Sequence, residues 1–386
     1  MSTPPRLLIS GYYGFGNLGD EAILEALATE LRRQRPDAVL RVLTANPDRA
    51  RELDLEPVPR KSLLPVVRAL AGSDLLLSGG GGLVQDSTGA GSVAYYLGLV
   101  ALARLLGRPA MLFCQGWGPV STPKGIRLAR LLAPRASLAT LRDEESLRDF
   151  GALAPRVPAR LTADPALLLE PAEPARMAAI LAEEGLAGEV GCLEGPTGRN
   201  PGRGPLVAVA VRTWPDAPME ALADALDAFA RSEQARYVLV PFQPDRDTEP
   251  SRALAARLEG RATVVRPRSP RETLGLLGCM DMVVAMRLHA LIFAAGRGIP
   301  LLGLSYDPKV ERFCARAGGL HLPLRGLTAE ALGTALGHLL QGRAHVRRQL
   351  AERVAPMREA ARRAVSAALA LAEGRGRAGA LEALEA

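Results

Sequence analysis

The sequence predicts two doubly wound α/β halves joined by a linker. Three observations lead there. Short apolar runs alternate with longer amphipathic segments, the pattern of a parallel sheet covered on both faces. A glycine-rich turn follows the first apolar run and opens the first amphipathic segment. The alternation breaks once, between Gly185 and Gly204, where seven glycines and two prolines fall within twenty residues, and then resumes. A chain of 386 residues, 48% hydrophobic and 23% charged, suits two or three domains and can bury a core without disulfides. The expected division is a Rossmann-like domain over 1–172, a linker and Gly/Pro-rich loop over 173–204, a second Rossmann-like domain over 205–345 and a helical tail over 346–386.

In the first half, Arg6–Ser10, Val39–Thr44, Asp74–Ser78, Ala110–Cys114 and Leu138–Arg142 are compact apolar runs and read as strands. Asp20–Arg33 places Ile23, Leu24, Leu27 and Leu31 on one helical face; Leu63–Ala71, Val93–Leu106 and Ile126–Leu132 are further helices. In the second half the strands are Leu206–Val211, Tyr237–Pro241, Thr263–Arg266, Met282–Ala285 and Leu301–Leu304. The helices between them are Met219–Arg231, Pro250–Leu258, Arg271–Leu277 and Leu288–Ala295. The Ala-, Arg- and Glu-rich last forty residues read as helix.

In such sheets ligands bind at the carboxyl ends of the strands, and the informative residues cluster there. Gly14, Gly16 and Gly19 complete a GxGxxG pattern after the first strand. Two details argue against a dinucleotide. The second strand ends in Thr44-Ala45-Asn46 with no acid to hold a ribose, and Asp20 and Glu21 occupy a helix start where a pyrophosphate needs bare amides. A tight turn with an acid-capped helix and a substrate-binding turn both remain open. Gly79, Gly80, Gly81 and Gly82 follow the strand ending at Ser78, where missing side chains let a ligand approach the backbone, or simply make a flexible turn. Gln115-Gly116-Trp117-Gly118-Pro119 ends the next strand, and three such ends define a crevice. GxxxxGK[ST] and HExxH are absent, which argues against a P-loop nucleotidase and a tight metal site.

The second half carries cations instead. Arg287-Leu288-His289 falls at a helix start, where free amides and the helix dipole favour an anion. Arg212 ends that half's first strand, and Lys309 follows another in Ser305-Tyr306-Asp307-Pro308-Lys309. The bland reading of each is a solvated charge or a satisfied helix-start histidine. Their convergence on one sheet edge favours a phosphate or carboxylate site.

Charge and composition narrow the partners. Net charge is +7, and only three of the 48 basic residues are lysines: Lys61, Lys124 and Lys309. Excess positive charge favours anionic substrates or an anionic membrane surface. Aromatics at 4% are too few to suggest stacking platforms for nucleic acid, so no nucleic-acid partner is expected. Four scattered cysteines, Cys114, Cys192, Cys279 and Cys314, form no CxxC pair and read as reduced thiols in a cytoplasm. The start lacks the pattern of a signal peptide, and the apolar stretch Tyr95–Gly107 is too short to span a bilayer. A cytoplasmic protein, with peripheral contact at the inner membrane face open to it, is the expectation.

Taken together, Gly16-Asn17-Leu18-Gly19-Asp20-Glu21, the Gly79 to Asp86 loop, Gln115-Gly116-Trp117-Gly118-Pro119, Ala163-Asp164-Pro165-Ala166, Arg287-Leu288-His289 and Tyr306-Asp307-Pro308-Lys309 resemble the polysaccharide pyruvyl transferase family, and within it the CsaB type. The resemblance runs from Gly11 to about Gly319; the Gly191 to Gly204 insertion and the tail beyond Gly374 have no match in it.

The resemblance implies a two-domain fold like that of GT-B glycosyltransferases, two Rossmann-like domains facing a cleft. It implies transfer of pyruvate from phosphoenolpyruvate to two hydroxyls of a sugar as a cyclic ketal. The CsaB-type acceptor is an N-acetylmannosamine-containing, lipid-linked precursor of a secondary cell-wall polymer whose pyruvylated form anchors S-layer proteins. On this reading Arg212, Arg287 and Lys309, with Arg142 as a weaker candidate, hold the donor's phosphate and carboxylate. His289, beside Arg287, serves as general acid or base, or only holds the phosphate. Asn17, Asp20, Glu21, Asp86, Gln115 and Asp164 bind or deprotonate the acceptor. The implied chemistry needs no cofactor beyond phosphoenolpyruvate as co-substrate, and no metal, because a proton activates the enol ether. Two rivals remain: a GT-B nucleotide-sugar glycosyltransferase, weakened by the lack of a carboxylate between Arg287 and Asp307, and a non-catalytic protein that binds anionic polymer or lipid headgroups.

Overall fold

The computed structural model describes residues 3–87, 89–188, 203–215 and 217–386. Cys192 and most of the Gly/Pro-rich loop, 189–202, lie outside the described residues. The chain divides into two compact units, one formed by Met1–Leu168 with Met357–Ala386 and the other by Leu169–Pro356.

The first unit holds eight strands: β1 (Arg6–Ser10), β2 (Val39–Thr44), β3 (Glu56–Pro59), β4 (Leu75–Ser78), β5 (Gly81–Val84), β6 (Ala110–Trp117), β7 (Leu138–Leu141) and β8 (Ala159–Leu161). They pair in the order β3-β2-β1-β4-β6-β7-β8, with β5 also on β6, and every pairing is parallel. The interior strands β4, β6 and β7 are buried at every position, which is why they read as unbroken apolar runs. β3 contains two prolines, which an edge strand tolerates because one side needs no ladder donor.

The glycine run is not the plain loop the sequence suggests. The first half of β6 pairs with β4, Leu76 to Ala110 and Ser78 to Leu112. Its second half pairs with β5, Gly81 to Gln115 and Val84 to Trp117. Only Gly79 and Gly80 separate β4 from β5. A bulge in β6 makes the change of partner possible: Leu112 to Gln115 oppose only Ala139 to Leu141 of β7. Cys114 sits in the bulge at φ +48, a left-handed conformation held by its N–H donating to Thr140 Oγ1 at 2.8 Å.

The tail is also more than an appendage. One helix runs from Arg343 to Ala372 and a second from Gly376 to Glu385. Ala361, Ala364, Val365, Ala367 and Ala368 are buried. Ala364, Val365, Ala367 and Ala368 belong to the same core as Leu7 and Ile9 of β1 and Leu24 and Leu31 of the helix Leu18–Gln34. Alanines let this helix approach closely, and Ser366 Oγ donates to Gln34 Oε1 at 2.9 Å.

The second unit begins with a helix, Pro174–Glu183, inside the segment expected to be linker; its Met177, Ile180 and Leu181 are buried. Its six strands are β9 (Leu206–Ala210), β10 (Arg236–Leu239), β11 (Ala262–Val264), β12 (Met282–Ala285), β13 (Leu301–Ser305) and β14 (Leu320–Pro323). They lie in the order β11-β10-β9-β12-β13-β14, all parallel. Both sheets therefore reverse their direction of growth beside their first strand, β1 next to β4 and β9 next to β12, the place where open α/β sheets take ligands.

Candidate functional site

In the first unit the motifs singled out in the sequence meet at the carboxyl edge of the sheet. Asn17 caps the helix Leu18–Gln34, its side chain accepting from Gly19 N at 3.1 Å. Glu21 reaches back so that Oε1 accepts from Gly14 N at 2.7 Å. The cap of this helix is therefore the Asn17 amide, and Glu21 holds the preceding glycine turn. Burial pushes the Glu21 carboxyl up, against the opposing hydrogen bond from Gly14 and the charge of Arg49.

The glycine run packs against neighbouring side chains of the same unit. A side chain added at Gly79 would meet Tyr13 OH at 2.7 Å, one at Gly80 would press on Ile23 and Pro165 at 3.2 Å, and one at Gly81 would lie 3.1 Å from Asp20 Oδ1. Gly116 abuts the Arg142 guanidinium, with 2.6 Å between an added Cβ and Nε. Of the four consecutive glycines only Gly82 is exposed. The other three are buried and pack closely within the chain.

The charged residues here have partners that the sequence did not reveal. Arg142 donates from Nη1 to Asp164 Oδ2 at 3.0 Å, and both are buried. Asp86 holds the turn before the helix Pro123–Leu132, accepting from Thr122 N at 2.7 Å, Thr122 Oγ1 at 2.6 Å and Ser121 N at 2.9 Å. Burial alone would raise its carboxyl; the Thr122 and Ser121 donors outweigh that and hold it below the ordinary range. Gln115 donates from Nε2 to Ser78 Oγ at 2.9 Å, and its Oε1 is buried with no hydrogen-bond partner among the described residues. Ser10 Oγ and Tyr13 OH are buried in the same unpaired way. Tyr13, which is fully buried and which sequence reasoning missed, packs against Gly79 at the β1–β4 reversal.

The second unit gathers the predicted cations into two groups. In one, Arg212 Nη1 donates to Tyr306 OH at 3.0 Å, and the guanidinium lies over the rings of Trp214 and Tyr306 at 5.3 and 5.1 Å. Lys309 Nζ stands 5.5 Å from the Tyr306 ring and 3.0 Å from Asp307 Oδ2. This group stays partly open to solvent; Trp214 is 39% exposed. A pocket of about 430 Å³ adjoins it, lined by Arg212, Trp214, Met219, Leu254 and Arg257 among others.

In the other group, Arg287 is the N-cap of the helix Leu288–Gly296, and His289 lies in that helix's first turn, as expected. Arg287 is not an unengaged cation. Its Nε donates to Asp247 Oδ2 at 2.8 Å, its Nη2 to Asp247 Oδ1, and Nη2 also reaches Gln243 Oε1 at 3.4 Å. Asp247 is fully buried. It sits in Pro244–Arg257, a helix that starts six residues before the expected Pro250 and carries that proline inside it. Three acids lie close together in the helix's first turns, and nothing in the sequence marks which one turns inward. Among the described residues no group of three His, Cys, Asp or Glu side chains is placed to hold a metal ion.

Two parallel sheets with this strand order and helices on both faces define the two-domain Rossmann-like α/β class to which GT-B glycosyltransferases and sugar-nucleotide epimerases belong. Solved structures agree at the level of fold. Anabaena HepE in complex with UDP and glucose superposes with a TM-score of 0.58 at 16% identity, covering 92% of this chain and 97% of its own. S. aureus MnaA with UDP gives 0.63 at 13% identity, covering 94% and 95%. The UDP-GlcNAc 2-epimerase from Neisseria meningitidis gives 0.60 at 11% identity, covering 94% and 99%. No curated protein sequence matches significantly. The family itself is defined by sequence: the polysaccharide pyruvyl transferase family model matches residues 17–308. The chain belongs to that family.

Proposed function

We propose that this protein transfers the enolpyruvyl carbons of phosphoenolpyruvate to a sugar diol as a cyclic ketal, releasing inorganic phosphate. The observation that carries the reading is the Arg212–Tyr306–Lys309 group at the sheet edge of the second unit, in a chain whose family match spans both units. Phosphoenolpyruvate bears a phosphate and a carboxylate on one carbon. Two cations held at fixed spacing by an aromatic ring, near a helix start, suit that pair of anions.

The steps balance without an external reductant or oxidant. A proton adds to the terminal methylene, and a sugar hydroxyl attacks the resulting cationic carbon and loses its own proton. Phosphate departs, and the second hydroxyl closes the ring with loss of a second proton. His289 is the group for these proton transfers in this reading, with Arg287 fixing the helix start on which it stands. Asp20 and Gln115 are the proposed acceptor contacts, with Asn17, Glu21, Asp86 and Asp164 shaping the edge on which they sit. The acceptor in this proposal is the N-acetylmannosamine of a lipid-linked secondary cell-wall polymer precursor, as in the CsaB type. The product would support S-layer anchoring, and the enzyme would work from the cytoplasm at the inner membrane face.

The test is phosphate release from phosphoenolpyruvate with and without a lipid-linked N-acetylmannosaminyl disaccharide, with mass spectrometry of the sugar. Acceptor-dependent release and the mass gain of one pyruvate ketal support the proposal; neither, across a panel of such acceptors, overturns it. The pocket beside Trp214 favours one second reading, a nucleotide-sugar glycosyltransferase with a base against the indole. UDP release from UDP-sugars, with no phosphate release from phosphoenolpyruvate, would select that reading.

A further inference from the structure

The chain's positive charge is concentrated. Residues 87–142 contain seven cations and no acid, so this stretch alone accounts for a charge equal to the whole chain's +7. One of the seven, Arg142, is buried against Asp164. Arg104, Lys124, Arg127, Arg130 and Arg135 are all exposed, and none is in an ion pair among the described residues.

The apolar side chains that break the usual surface rule lie in the same layer. Six large hydrophobic residues stand exposed among the described residues, and four belong to three helices of the first unit. Leu63 (74%) and Leu64 (58%) open the helix Leu63–Ala71, Leu105 (83%) ends Gly91–Leu105, and Leu131 (63%) is near the end of Pro123–Leu132. The inner faces of these helices share one core, through Val66 and Leu70, Leu97 and Val100, and Ala129. They therefore cover the same face of the sheet and turn their outer faces the same way. On Pro123–Leu132, Lys124, Arg127 and Leu131 fall at i, i+3 and i+7 on the stripe opposite buried Ala129. Lys61 and Arg68, also exposed, flank Leu63 and Leu64.

We infer that this three-helix face rests on an anionic phospholipid bilayer. Exposed leucines set among unpaired cations match the interface between headgroups and acyl chains: the cations meet lipid phosphates, and the leucines enter just below them. No helix among the described residues is long and apolar enough to cross a membrane, so the contact is a surface one. A soluble polyanion would account for the cations and leave the leucines unexplained. The inference deepens the reading of a lipid-linked acceptor by naming the surface that would bring the enzyme to it.

Vesicle co-sedimentation tests it without reference to turnover. The intact protein should bind phosphatidylglycerol–phosphatidylcholine vesicles, lose most binding in high salt, and ignore phosphatidylcholine alone. K124E/R127E/R130E should weaken binding about tenfold or more. L64S/L105S/L131S should weaken it severalfold while leaving the melting temperature in place. Three reversals elsewhere, R33E/R51E/R231E, should change it less than about twofold. No binding to the anionic vesicles at low salt overturns the inference. So does equal weakening by the control reversals, or unchanged binding by the leucine variant with full competition from soluble polyphosphate. Phosphate release with a short water-soluble acceptor, assayed separately, reports on the transfer reading whatever the vesicles show.

Discussion

At the carboxyl edge of the first sheet, the chain engages its own functional groups. Tyr13 fills the space at the β1–β4 reversal, Gly79 to Gly81 pack against Tyr13, Ile23, Pro165 and Asp20, Asp86 clamps Ser121 and Thr122, and Arg142 holds Asp164. At the same edge of the second sheet, built on the same strand order, Arg212, Trp214, Tyr306 and Lys309 hold one another and stay open to solvent. One topology thus yields a closely packed edge in one unit and a cationic, accessible edge in the other. A glycine-rich strand end marks close packing as readily as a ligand site. The cation stacked on aromatic rings at a strand end is the one left in contact with water.

The largest expected effect lies in what the two edges share, a buried ion pair. Asp247→Ala takes from Arg287 its buried carboxylate partner, at a cost of about 3–5 kcal/mol, and Asp164→Ala leaves Arg142 only the Asp143 carboxylate at 3.8 Å, a smaller but still large loss. Thermal unfolding should show a large loss for both. If only one variant loses stability, the two pairs are not equivalent and the comparison must be redrawn around the one that matters.

Gly116→Ala comes next, because its Cβ would stand 2.6 Å from the Arg142 guanidinium, and crowding of this kind costs about 1–3 kcal/mol. Gly298→Ala, before the amino end of β13 and so away from the carboxyl edge, is a reference for backbone strain alone: φ is +66, nothing lies within 4 Å, and about 1 kcal/mol is expected. Equal losses in chemical denaturation would remove the claim that Gly116 is crowded by Arg142. Lys309→Ala probes the open edge. It should lower phosphate release about tenfold, equivalent to about 1.4 kcal/mol of activation free energy. Stability should stay within about 0.5 kcal/mol of the parent, because Lys309 is partly exposed and its one ion pair among the described residues is with Asp307. A variant that unfolds more readily and turns over normally would reverse the roles assigned to the two edges.

How legible this was depended on whether the signal was local. Arg6–Ser10, Val39–Thr44 and Met282–Ala285 are correct to the residue because interior parallel strands are short and mostly apolar. β3, β5, β8 and β14 carry no such signal: β3 is half proline, β5 opens with two glycines, and β8 and β14 are only partly buried at an edge. The strand-end positions of Arg212, Arg287, His289 and Lys309 could be read because a strand's end is a local feature. Their partners could not. Asp247 lies 40 residues from Arg287, Asp164 lies 22 from Arg142, and Asp86 lies 35 from Ser121. Only the sheets bring these groups together, and nothing local distinguishes the acid that will pair from the acids that stay in water.

Two carboxylates of the first edge give the finest probe, because they shift in opposite directions. The Asp86 carboxyl is held below its ordinary 3.8, so the stability it contributes is present above that value and is lost as pH falls through the lower folded value. Glu21 is raised above its ordinary 4.5, so its contribution is complete below that value and is lost as pH rises through the higher folded one. At neutral pH the fold therefore carries a charged Glu21 at some cost, with Oε2 buried and no hydrogen-bond partner among the described residues. Glu21→Gln keeps an oxygen to accept from Gly14 N and removes the buried charge. It should be more stable than the parent by about 0.5 kcal/mol at neutral pH, and the difference should vanish below about pH 4, where Glu21 is protonated in both states. Unfolding free energies measured across that range decide it. A Gln variant less stable at neutral pH would mean that the charge, and not only the oxygen, holds the glycine turn, and that this edge keeps an anion in place as deliberately as the other keeps its cations.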